Sequence, residues 1–240
     1  MRRRLAAWPI VALALMAGAA STARAQGRLP NLDAYLTIAN DYRARGLSQV
    51  ASGASWQLGA DYEHASGFFV GGLLANVDYA IEARREQPRE HVVDVYAGYA
   101  WGRRSWRFNV ALGRYVYPDI DVDYDYTEAS FGASYMNRFF YSASYADTLF
   151  SLPFSAWHQE LGVAQPLRWN FEISAAVGRF ASDAVAEGGY THWNVGVSKV
   201  LRRVGLDLRF HESSLAGYSH VGNPGAERWV LSVSYGFPRR

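Results

Sequence analysis

Trp106-Arg107-Phe108-Asn109-Val110-Ala111-Leu112-Gly113 decides the fold. Trp106, Phe108, Val110 and Leu112 take every second position, and Arg107, Asn109 and Gly113 fall between them. A period of two puts the large apolar side chains on one face of an extended chain, whereas a helix would need a period of 3.6. The same alternation returns in Trp56, Leu58, Ala60 and Tyr62, in Trp169, Phe171, Ile173, Ala175 and Val177, and in Val204, Leu206, Leu208 and Phe210. It closes the chain in Trp229, Leu231, Val233, Tyr235 and Phe237. Repeated runs of this kind are strands, and the chain is read as all-β throughout.

Cutting at turn residues gives twelve segments, at 33–45, 54–64, 67–80, 90–102, 105–116, 125–135, 138–147, 155–165, 168–180, 189–200, 203–212 and 226–237. Their connections alternate in character. Tight links such as Arg103-Arg104 and Met136-Asn137 follow the even segments, and longer polar ones such as 46–53, 81–89, 117–124 and 213–225 follow the odd. Short turns at one rim and long loops at the other are the pattern of a closed antiparallel transmembrane barrel, with the turns on the periplasmic side. An even strand count puts both termini at that short-turn rim.

The tryptophans give a second line of argument. Trp56, Trp101, Trp106, Trp157, Trp169, Trp193 and Trp229 share the phase of the apolar face and sit near segment ends. Trp101, Trp106 and Trp169 fall at the short-turn rim and the other four at the long-loop rim, which makes two aromatic belts of the kind that mark membrane interfaces. The opposite face is rich in small residues, Gly98, Ala100, Gly132, Gly178, Gly196, Ser198 and Gly236 among them, mixed with charges of both signs. A soluble barrel would turn its large apolar side chains inward instead. Only the third segment hides its phase, because Phe68-Phe69-Val70 and Leu73-Leu74 are apolar on both faces.

Composition agrees with this reading. Half of the 240 residues are hydrophobic and 15% aromatic, yet the mean hydropathy is −0.15, so the apolar mass is dispersed. No stretch after Ala25 approaches the ~18 consecutive apolar residues of a membrane helix. The absence of cysteine excludes a disulfide scaffold, a thiolate metal site and a cysteine nucleophile. Met1-Arg2-Arg3-Arg4, an apolar run from Leu5 to Ala20, and Ser21-Thr22-Ala23-Arg24-Ala25 read as a secretory signal peptide over 1–25, followed by one barrel domain over 26–240. That segment holds four Arg and no acid, so the formal charge of +2 becomes −2 in the remainder, with 20 basic and 22 acidic residues. No basic stripe is left for nucleic acid. The expected compartment is the outer membrane of a Gram-negative bacterium, with lipid and lipopolysaccharide as surroundings.

The alternating last segment, ending on Tyr235 and Phe237, resembles the C-terminal signal by which outer-membrane barrels engage their assembly machinery. A family resemblance also emerges. Asp41-Tyr42-Arg43-Ala44-Arg45-Gly46-Leu47-Ser48-Gln49, Asp61-Tyr62 through His64, Ser66-Gly67-Phe68-Phe69-Val70-Gly71-Gly72, Asn76-Val77-Asp78, Tyr96-Ala97-Gly98-Tyr99, and Arg209-Phe210-His211 through Phe237 resemble the porins of the TorF family. The resemblance implies a small outer-membrane barrel with channel function for small solutes or ions. It brings no substrate and no catalytic residue.

On the inferred lumen face lie Asp41, Arg43, Asp61, Asp94, Arg107, Glu172, Asp207, Arg209, His211 and Arg228, a near balance of signs that assigns no selectivity. Twelve strands lie between the eight that side chains fill and the sixteen that leave an aqueous channel. An open narrow pore and a barrel held shut by paired interior charges are therefore both readings of this face. Asp119, Asp121, Asp123 and Asp125 alternate along one loop, so an extended chain would put four carboxylates on one side, either attracting cations or simply solvated. Arg84, Arg85 and Arg89 of another loop would suit lipopolysaccharide phosphates. His211-Glu212-Ser213 with Glu227 looks like the His, Ser and acid of the lipid A deacylase barrels, but His211 and Glu227 fall on opposite faces. With no His-Glu-x-x-His and no Gly-x-Ser-x-Gly, no enzyme, metal or cofactor is expected.

Overall fold

The computed structural model describes residues 32–50, 53–78, 90–119, 123–185, 188–215 and 225–237. The leader over 1–25, Arg84, Arg85, Arg89 and Asp121 lie outside them. The strands are β1 (Leu32–Ala39), two-residue β2 (Arg43–Ala44) and β3 (Leu47–Ser48), β4 (Ser55–Glu63), β5 (Phe68–Val77), β6 (Glu90–Arg103) and β7 (Trp106–Val116). They continue with β8 (Tyr126–Tyr135), β9 (Phe139–Ala146), β10 (Ala156–Pro166), β11 (Phe171–Ser182), β12 (Gly189–Leu201), β13 (Val204–Ser213) and β14 (Arg228–Gly236). All except β2 and β3 form one closed twelve-stranded barrel in which every strand pairs antiparallel with its neighbours in sequence. Closure joins β1 to β14 from Tyr35↔Gly236 to Ala39↔Ser232, and the Thr37 and Ser234 hydroxyls meet at 2.8 Å inside this seam.

Ordinary burial is inverted. Leu112 is 62% exposed, Leu161 59% and Leu231 52%, whereas Asp94, Glu128, Asp207 and Arg209 are buried on the inside. The third barrel strand, β5, shows its phase here: Leu73, Ala75 and Val77 are buried inward, and Phe68 and Val70 point out. It is apolar on both faces because its upper inner face packs into a core, not against water. That core lies toward the long-loop rim, where Tyr115, Tyr126, Phe180 and Tyr190 meet Tyr42, Val50 and Leu149 from the loops.

Two boundaries differ from the sequence reading. Trp169 sits in a one-turn 3-10 helix, Arg168–Asn170, with φ 59°, and is 80% exposed. β11 begins only at Phe171, so Trp169 belongs to the short-turn rim but not to a strand. Trp101 and Trp106 flank another tight turn at the same rim, each ring stacked on Phe108. At the other rim Trp157 packs on Tyr145 and Trp193 and Trp229 on Phe210, and Trp56 lies 5.7 Å from the His91 ring.

The second difference is larger. β1 does not run to residue 45 but stops at Ala39. At Asn40 the backbone N–H still donates to the Leu231 carbonyl at 3.3 Å, but the side chain takes the return bond, accepting from the Leu231 N–H at 2.9 Å, and donates to the Trp229 carbonyl at 3.2 Å. Past Asn40 the backbone leaves β14 and turns into the barrel.

Candidate functional site

The segment that turns inward is a small hairpin built around one carboxylate. Asp41 accepts from Arg43 Nε at 2.9 Å and from the Ser48 hydroxyl at 2.6 Å. Arg43 Nη1 also donates to the Gly46 carbonyl at 3.1 Å. β2 and β3 pair as Arg43↔Ser48 and Ala44↔Leu47, and the Asp78 N–H ties the far end down by donating to the Gln49 carbonyl at 2.6 Å. Arg45 and Gly46 form the tip, both at positive φ (52° and 81°). Gly46 is required twice over, by that φ and because a Cβ there would lie 2.3 Å from Cβ of His192 on the wall.

The tip reaches the opposite wall. Arg45 Nη2 pairs with the Glu128 carboxylate of β8, whose side chain is 1% exposed, and the Tyr115 hydroxyl donates to the same carboxylate at 3.4 Å. The guanidinium also lies 5.7 Å from the centroid of the Phe180 ring, a cation–π distance. Burial disfavours the Arg45 charge, but Glu128 with the phenol groups of Tyr126 and Tyr115 outweighs it and holds its pKa well above the ordinary value. Tyr42, Val50 and Leu47 from the same segment pack into the apolar core beside it. The lumen is therefore crossed by a hairpin and lined around it with aromatic rings.

Below this level the wall is polar. Arg209 of β13 donates to Asn194 at 2.7 Å, to Ser174 at 2.8 Å and through Nε and Nη2 to Asp207 at 3.2 and 3.1 Å. This network links the inner faces of β11, β12 and β13. Asp61 of β4 accepts from the Tyr96 hydroxyl of β6, reaching across Gly71 of β5, where a Cβ would lie 2.5 Å from each. The small residues of the inner face thus make room for long side chains laid over them from neighbouring strands. Asp94 of β6 is buried with neither carboxylate oxygen hydrogen-bonded. Arg107 and Glu172 are half-buried and share the inward phase of their strands, and His211 sits across from Arg228 in the β13–β14 register. Asp41 and Arg43 face the interior as well, though from the hairpin and not from a strand.

Of the four loop carboxylates, Asp121 lies outside the described residues. Asp119 meets His91 at 2.7 Å, Asp125 pairs with Arg114 at 3.1 Å, and Asp123 accepts from the backbone N–H of Asp125. Each of these three meets a different local partner. Ser213 accepts from the Leu215 N–H at 3.2 Å, and Glu227 is exposed outside the strand. Sequence reasoning missed Arg45, Glu128 and a trio on β10 and β12, His158, Glu160 and His192. His158-Gln159-Glu160 carries its own signal, two metal-competent side chains on one strand face, but only the barrel brings His192 to them.

A family model described as "Bacterial protein of unknown function (Gcw_chp)" matches residues 25–214. No curated protein matches the sequence. Among solved structures, the KdgM porin is similar at a TM-score of 0.56 and 9% identity, over 86% of this chain and 99% of that one. The NanC porin is similar at 0.57 and 7% identity, over 87% and 100%. At these identities the likeness is one of fold.

Proposed function

This chain belongs to the Gcw_chp family of bacterial proteins, and we propose that it is an outer-membrane channel, narrowed by its own hairpin, for the passage of small solutes or ions. The inversion of burial carries this reading. A closed barrel with large apolar side chains outside and charge inside suits a lipid surround and an aqueous interior. The resemblance to the TorF porins supports it, as does the start of the family match at residue 25, where the signal peptide is read to end. The short-turn rim is the periplasmic one and the C-terminal strand β14 is the element offered to the assembly machinery. Lipopolysaccharide surrounds the long-loop rim.

The inward-facing wall favours cations. Glu128 and Glu160 join Asp41, Asp61, Asp94, Glu172 and Asp207, and among the described residues carboxylates outnumber the guanidinium groups of Arg43, Arg45, Arg107, Arg209 and Arg228. Such an excess raises the local concentration of cations over anions. The KdgM porin is known in complex with oligogalacturonate, but the wall here gives no basis for carrying an acidic oligosaccharide over.

Planar-bilayer recording of the refolded protein tests the proposal. Discrete conductance steps with a reversal potential on the cation side are expected in a salt gradient. Silence from a barrel that is folded, as read by its shifted gel mobility before boiling, would instead make it a structural barrel. The apolar core beneath the long loops is the observation that favours this second reading. The lipid surround has its own test. Leu112→Arg, near the middle of β7 on the outer face, is expected to cost ~2–4 kcal/mol in urea unfolding from vesicles, whereas a lysine at half-buried Asn109 on the inner face should cost far less.

A further inference from the structure

We propose that His158, Glu160 and His192 form a binding site for a divalent transition-metal ion, of the Zn²⁺ class, on the inner wall of the barrel. The site is assembled across three strands. Glu160 of β10 and His192 of β12 both stand opposite Gly178 of β11, which has no side chain to separate them. His192 leans into that notch so closely that a Cβ on Gly178 would lie 2.4 Å from its Nε2. His158, two residues before Glu160, points from the same face.

The donor atoms converge. The Nε2 atoms of His158 and His192 are 2.9 Å apart, Glu160 Oε2 is 4.0 Å from His192 Nδ1, and one donor atom from each residue falls within 4.8 Å of the others. The two rings lie within 12° of parallel with centroids 5.2 Å apart. The nitrogens therefore face each other almost head-on and share one N–H···N hydrogen bond. Two nitrogens on a tetrahedral Zn²⁺ stand about 3.3 Å apart, so binding needs the pair to open by only a few tenths of an ångström and to rotate. The shared Nε2 proton then moves to Nδ1 of the same ring, leaving both Nε2 lone pairs for the ion, and the Glu160 carboxylate, which stands 4.0 Å from His192 Nδ1, turns toward Nε2 to complete the set.

Imidazole nitrogens with one carboxylate select borderline divalent ions over Ca²⁺ or Mg²⁺, which prefer oxygen alone. Glu160 also supplies the negative charge. The Arg45 cation close by is already taken by Glu128, which limits its repulsion of a metal. Both histidines are buried but the Glu160 side chain is 24% exposed, so the carboxylate is the point of entry from the lumen.

Calorimetric titration of the refolded, metal-free barrel with Zn²⁺ tests the site, with gel mobility before boiling confirming the fold of each variant. One equivalent is expected to bind, and His158→Gln, His192→Gln and Glu160→Gln should each weaken it by roughly tenfold or more. Failure of the wild-type protein to bind, or undiminished binding by the double His158→Gln/His192→Gln variant, would overturn the proposal. Should a histidine variant not fold, the visible spectrum of the wild-type protein with Co²⁺ decides. Intense bands of a tetrahedral nitrogen and oxygen site support the assignment and their absence overturns it.

Discussion

Excising Asp41–Gln49 and bridging Asn40 to Val50 with a short Gly-Ser link is expected to raise single-channel conductance several-fold. The excision removes the hairpin tip, Arg45 and Gly46, which spans from β1 to the walls of β8 and β12. It also withdraws Tyr42 and Leu47 from the apolar core at the same level, so it widens the lumen where it is most filled. The barrel itself should survive. Ala39 and Ser55, which flank the long connection, already stand opposite each other in the β1–β4 ladder, so a shorter loop closes the same pair of strands without strain, and loop length contributes only weakly to closure entropy. Conductance equal to wild type in a correctly folded variant would mean that the hairpin does not obstruct the path. Glu128, left without its cation, would make the widened lumen more cation-selective, and the reversal potential should move in that direction.

Most of the barrel could be read from residues, and the part that could not has a physical explanation. Alternation fixes a strand's period and phase because only one face can meet an apolar surround. This is why Trp106–Leu112 and Trp229–Phe237 were legible to within a residue or two. The same rule overran at 40–45: Asp41, Arg43 and Arg45 keep the period of β1, and nothing in their spacing shows that the Asn40 side chain will accept the Leu231 N–H in place of a backbone carbonyl and end the ladder there. Trp169 kept the phase of β11 while the backbone had already left it, since φ 59° is a turn conformation that period cannot detect. In β5 the phase itself was hidden, because its inner face meets other apolar groups in the core toward the long-loop rim.

The candidate site was less legible for the same reason. Charges such as Asp61, Asp207 and Arg209 announce themselves as inward by alternation, but their partners are set by which strands adjoin. Arg209 reaches Ser174, two strands away, and Arg45 finds Glu128 more than eighty positions along the chain. Glycine gave the strongest unused hint. Gly178 and Gly71 mark where a long side chain from a neighbouring strand lies over the wall, but naming that side chain needs the register.

Arg45→Ala is expected to destabilise the folded barrel by ~3–5 kcal/mol, because it strands the Glu128 carboxylate without its cation in a place water hardly reaches. Glu128→Ala should cost a similar amount by stranding the guanidinium. Arg45→Met combined with Glu128→Leu should recover most of the loss, since two apolar groups of comparable volume fit among Phe180, Tyr115 and Tyr190 and leave no charge to desolvate. Urea unfolding of the four proteins in detergent measures the coupling directly. Nearly additive single costs would show that the pair does not hold the tip. Stability and conductance should then part company. The double variant keeps the tip seated by packing and stays narrow, whereas Arg45→Ala frees it and conducts more, even where both remain folded. A buried pair of this kind is a poor source of net stability and a good means of registering one position among several. Its contribution here is to hold the hairpin tip against β8 when the remaining inner wall offers other carboxylates, Asp94 among them, to the same guanidinium.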